Sequence, residues 1–229
     1  MSEAPESRRE RLVEVYREAS GCTLCPLAQT RTYVVFGAGD ANADLMFIGE
    51  APGAEEDRRG LPFVGRAGGL LNELLAEIGL RREDVFVCNV LKCRPPGNRD
   101  PQPLEIETCR PYLLSQVELI QPKVIATLGN FATKLITANQ TGITRVRGRP
   151  QVHTLGERTL RVFPILHPAA ILRNPGQRPM MDEDFAALES LLDEPPLEQG
   201  EVTPPELPAE PQVPATAPPA RDQLDFFTS

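Results

Sequence analysis

Three polar residues stand where apolar runs end, in positions from which they could do chemistry: Glu50, Asn89 and His167. Glu50 follows Ala43-Asp44-Leu45-Met46-Phe47-Ile48 and sits in Gly49-Glu50-Ala51-Pro52-Gly53-Ala54-Glu55-Glu56-Asp57. The apolar run reads as a buried strand. A strand that empties into a Gly- and Pro-containing turn tipped by a carboxylate is where open α/β sheets place ligands. A carboxylate there can orient or activate water. The same composition also describes an acidic surface loop, and the segment alone leaves both readings open. Asn89 closes a second apolar run, Val85 to Val90, and offers an amide that both donates and accepts. His167 closes another, Leu160 to Leu166, and can aim an imidazole N–H at a developing anion. His153 stands in an expected loop with no motif around it.

The cysteines are the second chemical set. Cys22-x2-Cys25 opens the body, and Cys93 and Cys109 flank a Pro- and Arg-rich loop. Four thiols in loops or at element ends suit a tetrahedral set of ligands, and their spacing admits either zinc or an iron–sulfur cluster. Such a site can be purely structural, pinning the N-terminal helix to the Pro/Arg loop. The fifth cysteine, Cys88, lies inside an apolar strand and reads as core. The polar first eleven residues lack the apolar centre of a signal peptide, so a cytoplasmic protein with unpaired thiols is expected.

The elements that must hold these residues alternate in type. Helical spacing covers residues 7–20, 70–78, 104–120, 130–138 and 181–192, and buried strands are expected at 43–48, 85–90, 124–128 and 160–166. Thr32 to Phe36 reads as a further short strand. Pro111 falls inside one helical pattern and predicts a kink or break near Cys109. Strand and helix in alternation give a parallel sheet covered on both faces. No Gly-rich loop is followed by Lys-Ser/Thr, which argues against an NTPase.

The formal charge of -8 is uneven. Residues 196–229 hold six acidic side chains against one basic, Arg221, and so carry -5 of it. The body is close to neutral and can present a local basic face. No stretch approaches the ~20 apolar residues of a membrane span. From Pro195 to Pro219 nine prolines and little aliphatic periodicity predict an extended, disordered linker. The expected organisation is a folded body over 1–195, a linker over 196–221 and a terminal peptide over 222–229.

The segments GEAPGAEED, LPFVGRAGGLL, CNVLKCRPPGNRDP and HPAAILRNP, with the four cysteines so placed, resemble the family-4 uracil-DNA glycosylases. The likeness runs in unbroken order from about Cys22 to Leu192. It implies a three-layer α/β/α fold on a central four-stranded parallel sheet. It also implies one 4Fe-4S cluster, held by Cys22, Cys25, Cys93 and Cys109 in a structural role. A self-crosslinking relative carries a basic insertion ending in His before the fourth cysteine. Pro95-Pro96-Gly97-Asn98-Arg99-Asp100-Pro101 has no His, so covalent trapping is not expected.

With that resemblance, the residues acquire roles in uracil excision from DNA. Phe63 stacks on the base, and the backbone of Ala51 touches it. Asn89 donates to uracil O4 and accepts from N3–H, a pattern that cytosine reverses. His167 stabilises the uracil anion at O2. Glu50 positions water or supports an oxocarbenium-like sugar; Glu55, Glu56 and Asp57 receive no role. Arg66 and Gly68, opening a helix, face a DNA phosphate. Leu172 is the wedge that fills the gap left by the flipped base, with Arg173 beside it. Lys92, Arg94, Arg99, Arg145, Arg147 and Arg149 supply scattered positive charge. The C-terminal Gln223-Leu224-Asp225-Phe226-Phe227 is similar to the bacterial sliding-clamp-binding pentapeptide. The expected partners are therefore uracil-containing DNA and the clamp, with the protein itself a monomer. The competing reading is a non-catalytic iron–sulfur DNA-binding or clamp-recruited module on the same fold.

Overall fold

The computed structural model describes residues 7–199 and, beyond them, the backbone of Phe227 and Thr228. In chain order its elements are α1 (Arg8–Ser20), β1 (Ala38–Asp40), β2 (Leu45–Gly49), α2 (Ala54–Arg59), α3 (Arg66–Glu77), β3 (Phe86–Asn89), α4 (Pro103–Ile120) and β4 (Val124–Leu128). Then follow α5 (Asn130–Thr137), α6 (Ile143–Val146), β5 (Gln151–Leu155), β6 (Arg158–Ile165), α7 (Pro168–Arg173), α8 (Arg178–Leu192) and β7 (Phe227–Thr228).

Strands β2, β3 and β4 are buried at every position, as runs of Val, Ile, Leu and Phe covered on both faces must be. Along β2, Met46 and Ile48 pack to one side with Leu12, Tyr16, Leu113 and Val117 of α1 and α4. Leu45 and Phe47 pack to the other with Leu71, Leu74, Phe185 and Leu188 of α3 and α8. This period-two division makes three layers, as expected. The sheet order is β5-β6-β4-β2-β3-β1-β7. Its centre, β6-β4-β2-β3, is the expected set of four parallel strands; β1 and β5 add antiparallel pairings at either side. The first of the four, β2, lies between its successors β3 and β4. The carboxyl ends of these strands therefore border a topological switch point.

Three local expectations are corrected. Thr32 to Phe36 is not a strand: Tyr33 and Val35 donate singly to the carbonyls of Asp57 and Lys92, and the pairing with β3 begins only at Ala38. Helix α4 runs unbroken through Pro111. The lost N–H bond is outweighed by burial of Cys109, Leu113, Gln116, Val117 and Ile120 along one face. His153 is on β5 rather than in a loop; a half-exposed Gln-Val-His-Thr-Leu hairpin arm carries too little apolar signal to be recognised alone.

Among the described residues no helix is long and apolar enough to cross a membrane. Gln223, Leu224, Asp225 and Phe226 lie outside the described residues, as does the Pro-rich segment from residue 200 onward. The backbone of Phe227 pairs in parallel with Gly39 of β1.

Candidate active site

The carboxyl ends of the four parallel strands open into one cleft of about 1100 Å³. Glu50, Ala51, Phe63, Asn89, His167 and Arg173 all line it, although they come from four separate segments of the chain. Arg66, Gly68 and Leu172 do not line it. Arg66 is exposed at the start of α3, whereas Leu172 is half-buried against the α3/α8 core. Gly68 is buried and faces backwards: a Cβ there would lie 1.7 Å from the Phe63 carbonyl oxygen.

Gly49 and Asn89 are direct neighbours on parallel strands. A Cβ on Gly49 would fall 2.4 Å from Asn89 Oδ1 and 2.8 Å from Phe63 Cζ. The missing side chain is what lets the amide and the aromatic ring meet at the floor of the cleft. Asn89 is 2 % exposed, so whatever approaches its amide must satisfy that group's donors and acceptor.

Phe63 has φ +52, a left-handed conformation that a side chain resists by about 1–2 kcal/mol. Its neighbours hold it there. Arg82 Nη2 donates to the Pro62 carbonyl at 3.1 Å, and the amides of Val64 and Gly65 both donate to Glu56 Oε1 at 3.1 Å. Glu56, to which the sequence assigned nothing, thus positions the aromatic wall and also lines the cleft. Asp57 is buried and accepts from the amide and hydroxyl of Thr32. Glu55 pairs with Arg58 at the surface.

His167 caps α7 and accepts from the Ala169 amide on Nδ1 at 3.1 Å. A nitrogen that accepts carries no proton, so in this arrangement the neutral ring has its hydrogen on Nε2. Burial, then the positive charge of Arg173, push its pKa down to about 4, against a smaller opposing pull from Glu56. The ring stacks on Phe63, centroids 5.7 Å apart at 28°. Gly129, at φ +90, leaves room for it: a Cβ there would lie 2.9 Å from His167 Cβ.

Glu50 is half-buried. Burial first, and then the like charge of Asp100, raise its carboxyl above the ordinary range. Asp100 and Asn98 reach the cleft from the Pro/Arg loop, and Asn130 and Lys134 from α5. None of these four was singled out from sequence. Pro96-Gly97-Asn98 was the available signal, since Asn98 takes φ +54 and accepts on Oδ1 from Arg94 Nε at 2.7 Å.

Several expected DNA-facing cations are committed elsewhere. Lys92 is 1 % exposed. Arg147 is tied to Asp184 at 2.9 Å and to the Met180 carbonyl, and Arg99 holds buried Glu105 with two bonds. Arg145, Arg149 and Arg173 remain exposed.

Cys22, Cys25, Cys93 and Cys109 are unpaired thiols that gather between α1, the Pro/Arg loop and α4. Cys109 feels the charges of Cys25 and Cys22, and Cys93 those of Cys109 and Cys25. Burial pushes Cys93 up to about 12 despite the Arg31 guanidinium 3.5 Å from its sulfur. Among the described residues, no three His, Cys, Asp or Glu side chains close on a site for a single metal ion. Cys88 is core, as expected.

The model of the uracil DNA glycosylase superfamily matches residues 36–191. The type-4 uracil-DNA glycosylase of Archaeoglobus fulgidus is 48% identical over 187 residues, spanning 80% of this chain and 94% of that protein. That of Sulfurisphaera tokodaii is 48% identical over 185 residues, 79% of this chain and 84% of the relative. A third, from Thermotoga maritima, is 50% identical over 168 residues, covering 72% and 86%. The matched span contains the strand ends, the Phe63 loop and His167, and on this agreement the chain belongs to the uracil DNA glycosylase superfamily and, within it, to the type-4 uracil-DNA glycosylases.

Proposed function

We propose that this protein is a monofunctional DNA-repair hydrolase that extrudes uracil from DNA and cleaves its N-glycosidic bond with water, leaving an abasic site. The observation that carries the assignment of roles is the convergence of Asn89, Phe63 and a Nε2-protonated His167 on one cleft. Bringing a base out of the stack costs a few kcal/mol, which stacking on Phe63 and hydrogen bonding to Asn89 offset. The Asn89 amide donates to uracil O4 and accepts from N3–H. Cytosine offers an amino group and a bare nitrogen at those places, leaving buried groups unpaired. As the glycosidic bond breaks, its electron pair stays with the base. His167 Nε2–H then meets charge accumulating on O2 and needs no net protonation to do so. Glu50, acting as a carboxylate, supports the electron-poor sugar or orients the water that adds to it. Arg173, Arg145, Arg149 and Arg66 supply exposed charge for phosphates.

The donor set of Cys22, Cys25, Cys93 and Cys109 fits a 4Fe-4S cluster: four unpaired thiols near enough to perturb one another suit its four-thiolate ligation. Such a cluster would bind the four thiolates and cross-link α1 to the Pro/Arg loop and α4. The C-terminal peptide 223–227 would recruit the protein to a sliding clamp, through a linker of about 25 residues able to span up to ~75 Å.

The test is release of free uracil from a uracil-containing oligonucleotide by the wild type, Asn89→Ala and His167→Ala. Release by the wild type with large losses in both variants is expected. No release by the wild type would leave the non-catalytic DNA-binding module instead.

A further inference from the structure

Lys92 is buried, yet no carboxylate among the described residues is bonded to it. Its Nζ donates to the Asn89 carbonyl at 2.7 Å and to Gln116 Oε1 at 2.7 Å, and it stands 5.9 Å from the centre of the Phe36 ring. Gln116 is itself fully buried and donates onward to the Phe36 carbonyl at 2.9 Å. The Lys92 carbonyl accepts from Val35 at 2.8 Å. These bonds tie the residue to backbone and core on one side of the cleft. Burying an ammonium is costly unless its hydrogen bonds are made, and an apolar residue would fill the space without that cost. The arrangement therefore calls for an explanation beyond packing.

We infer that Lys92 is a positioning residue for Asn89, linking the cysteine lobe to the base-reading strand end. The lysine is next to Cys93 in the chain, and its backbone lies close enough to Cys109 to lower that thiol's pKa against the effect of burial. Its ammonium returns three residues to the carbonyl of Asn89 and closes the turn that leaves β3. Downstream of Asn89, Val90 and Leu91 donate to the carbonyls of Gly49 and Glu50. The same turn therefore also anchors the backbone of Glu50. Asn89 Oδ1 lies close over Gly49, where even a methyl group would meet it at 2.4 Å. Its hydrogen-bonding direction is set by its backbone, and the Lys92 bridge sets that backbone. A shift of about 1 Å at such a residue costs on the order of 100-fold in rate.

This inference rests on the assignment of Asn89 as the base reader, and the experiment separates the two. Single-turnover uracil excision is measured for the wild type, Lys92→Met, Asn89→Ala and the double variant, with iron content and thermal melting followed in each. Lys92→Met should lose about 10- to 100-fold in the chemical step with uracil binding less affected. Adding it to Asn89→Ala should lose nothing further, because both changes remove one function. If Lys92→Met fails to fold or loses iron, Gln116→Leu, outside the cysteine loop, replaces it in the same cycle with the same expectation. Additive losses, or a rate within two-fold of wild type, overturn the role of Lys92 while leaving Asn89 as base reader. An Asn89→Ala protein as fast as the wild type brings down the assignment of Asn89, and this inference with it.

Discussion

The amide of Ala169 donates to Nδ1 of His167 over 3.1 Å, and that one bond decides which nitrogen of the ring carries the proton toward the cleft. Because the pKa of His167 is held near 4, the ring stays neutral throughout the physiological range. The acidic limb of the rate profile should then belong to Glu50, whose carboxyl is raised by burial and by Asp100. Single-turnover rates should fall as pH drops through a midpoint above the ordinary carboxylate value. Glu50→Gln should be slower at pH 8 and should lack that limb. A limb that survives in Glu50→Gln with an unchanged midpoint would contradict this.

The same burial of His167 bears on stability. Its folded pKa lies below the unfolded value of 6.5, so the unfolded chain binds the extra proton first. Stability should decline as pH falls from about 6.5 toward 4, where the folded pKa lies. His167→Gln should show a shallower decline over that window. Urea unfolding at several pH values measures it, and parallel curves for the two proteins would refute the account.

How much of this could be read from the chain follows from the range of each interaction. Glu50, Asn89 and His167 were legible because an apolar run ending in one polar residue is a local signal, and parallel strands bring such ends together. Glu56 was not legible. Its carboxylate serves amides eight and nine residues away, and nothing in Glu55-Glu56-Asp57 marks the middle residue. Lys92 and Arg147 looked like surface charge because a side chain's type does not reveal which way its element turns it. Strand β5 escaped for the opposite reason, since its partner β6 supplies the burial that its own residues do not announce.

Gly49→Ala tests the floor of the cleft. The added methyl would meet Asn89 Oδ1 at 2.4 Å and Phe63 Cζ at 2.8 Å, and both partners are buried. Overpacking of this kind costs about 1–3 kcal/mol in stability. On the proposed roles the displaced atoms are those that read the base, so a catalytic loss on the order of 100-fold should appear even in folded protein. Denaturant melts beside single-turnover rates will show whether activity falls in folded protein; wild-type activity would mean the amide has slack that the geometry denies.

Glu56 should matter through the backbone of Phe63. Glu56→Ala leaves the Val64 and Gly65 amides without their acceptor, at about 1–3 kcal/mol if water does not replace it. Release of the left-handed Phe63 should also weaken base stacking. Glu56→Gln keeps an oxygen that can accept both bonds and should recover most of the activity. Equal loss in both variants would indicate that the charge acts, through His167, and not the geometry.

Cys109→Ser addresses the cysteine lobe. If the four thiols hold a cluster, this variant should lose iron and visible absorbance and melt at a markedly lower temperature, since bound metal contributes directly to folding. Unchanged iron content would exclude Cys109 as a ligand.

The C-terminal peptide makes the last prediction. Phe227 is part of the segment proposed to enter a clamp pocket, yet its backbone pairs with Gly39 at the free side of β1. An extended segment cannot occupy both places. Deleting residues 222–229 should therefore abolish clamp binding while leaving uracil release from short oligonucleotides unchanged, because β1 lies at the far side of β3 from the centre of the cleft. Thr228→Pro, just outside the peptide, would disfavour the pairing with β1 and test the competition in the other direction, since proline does not fit a strand ladder. If the strand pairing holds the peptide back, that change should tighten clamp binding, and a clamp affinity equal to wild type would show that the pairing offers no resistance.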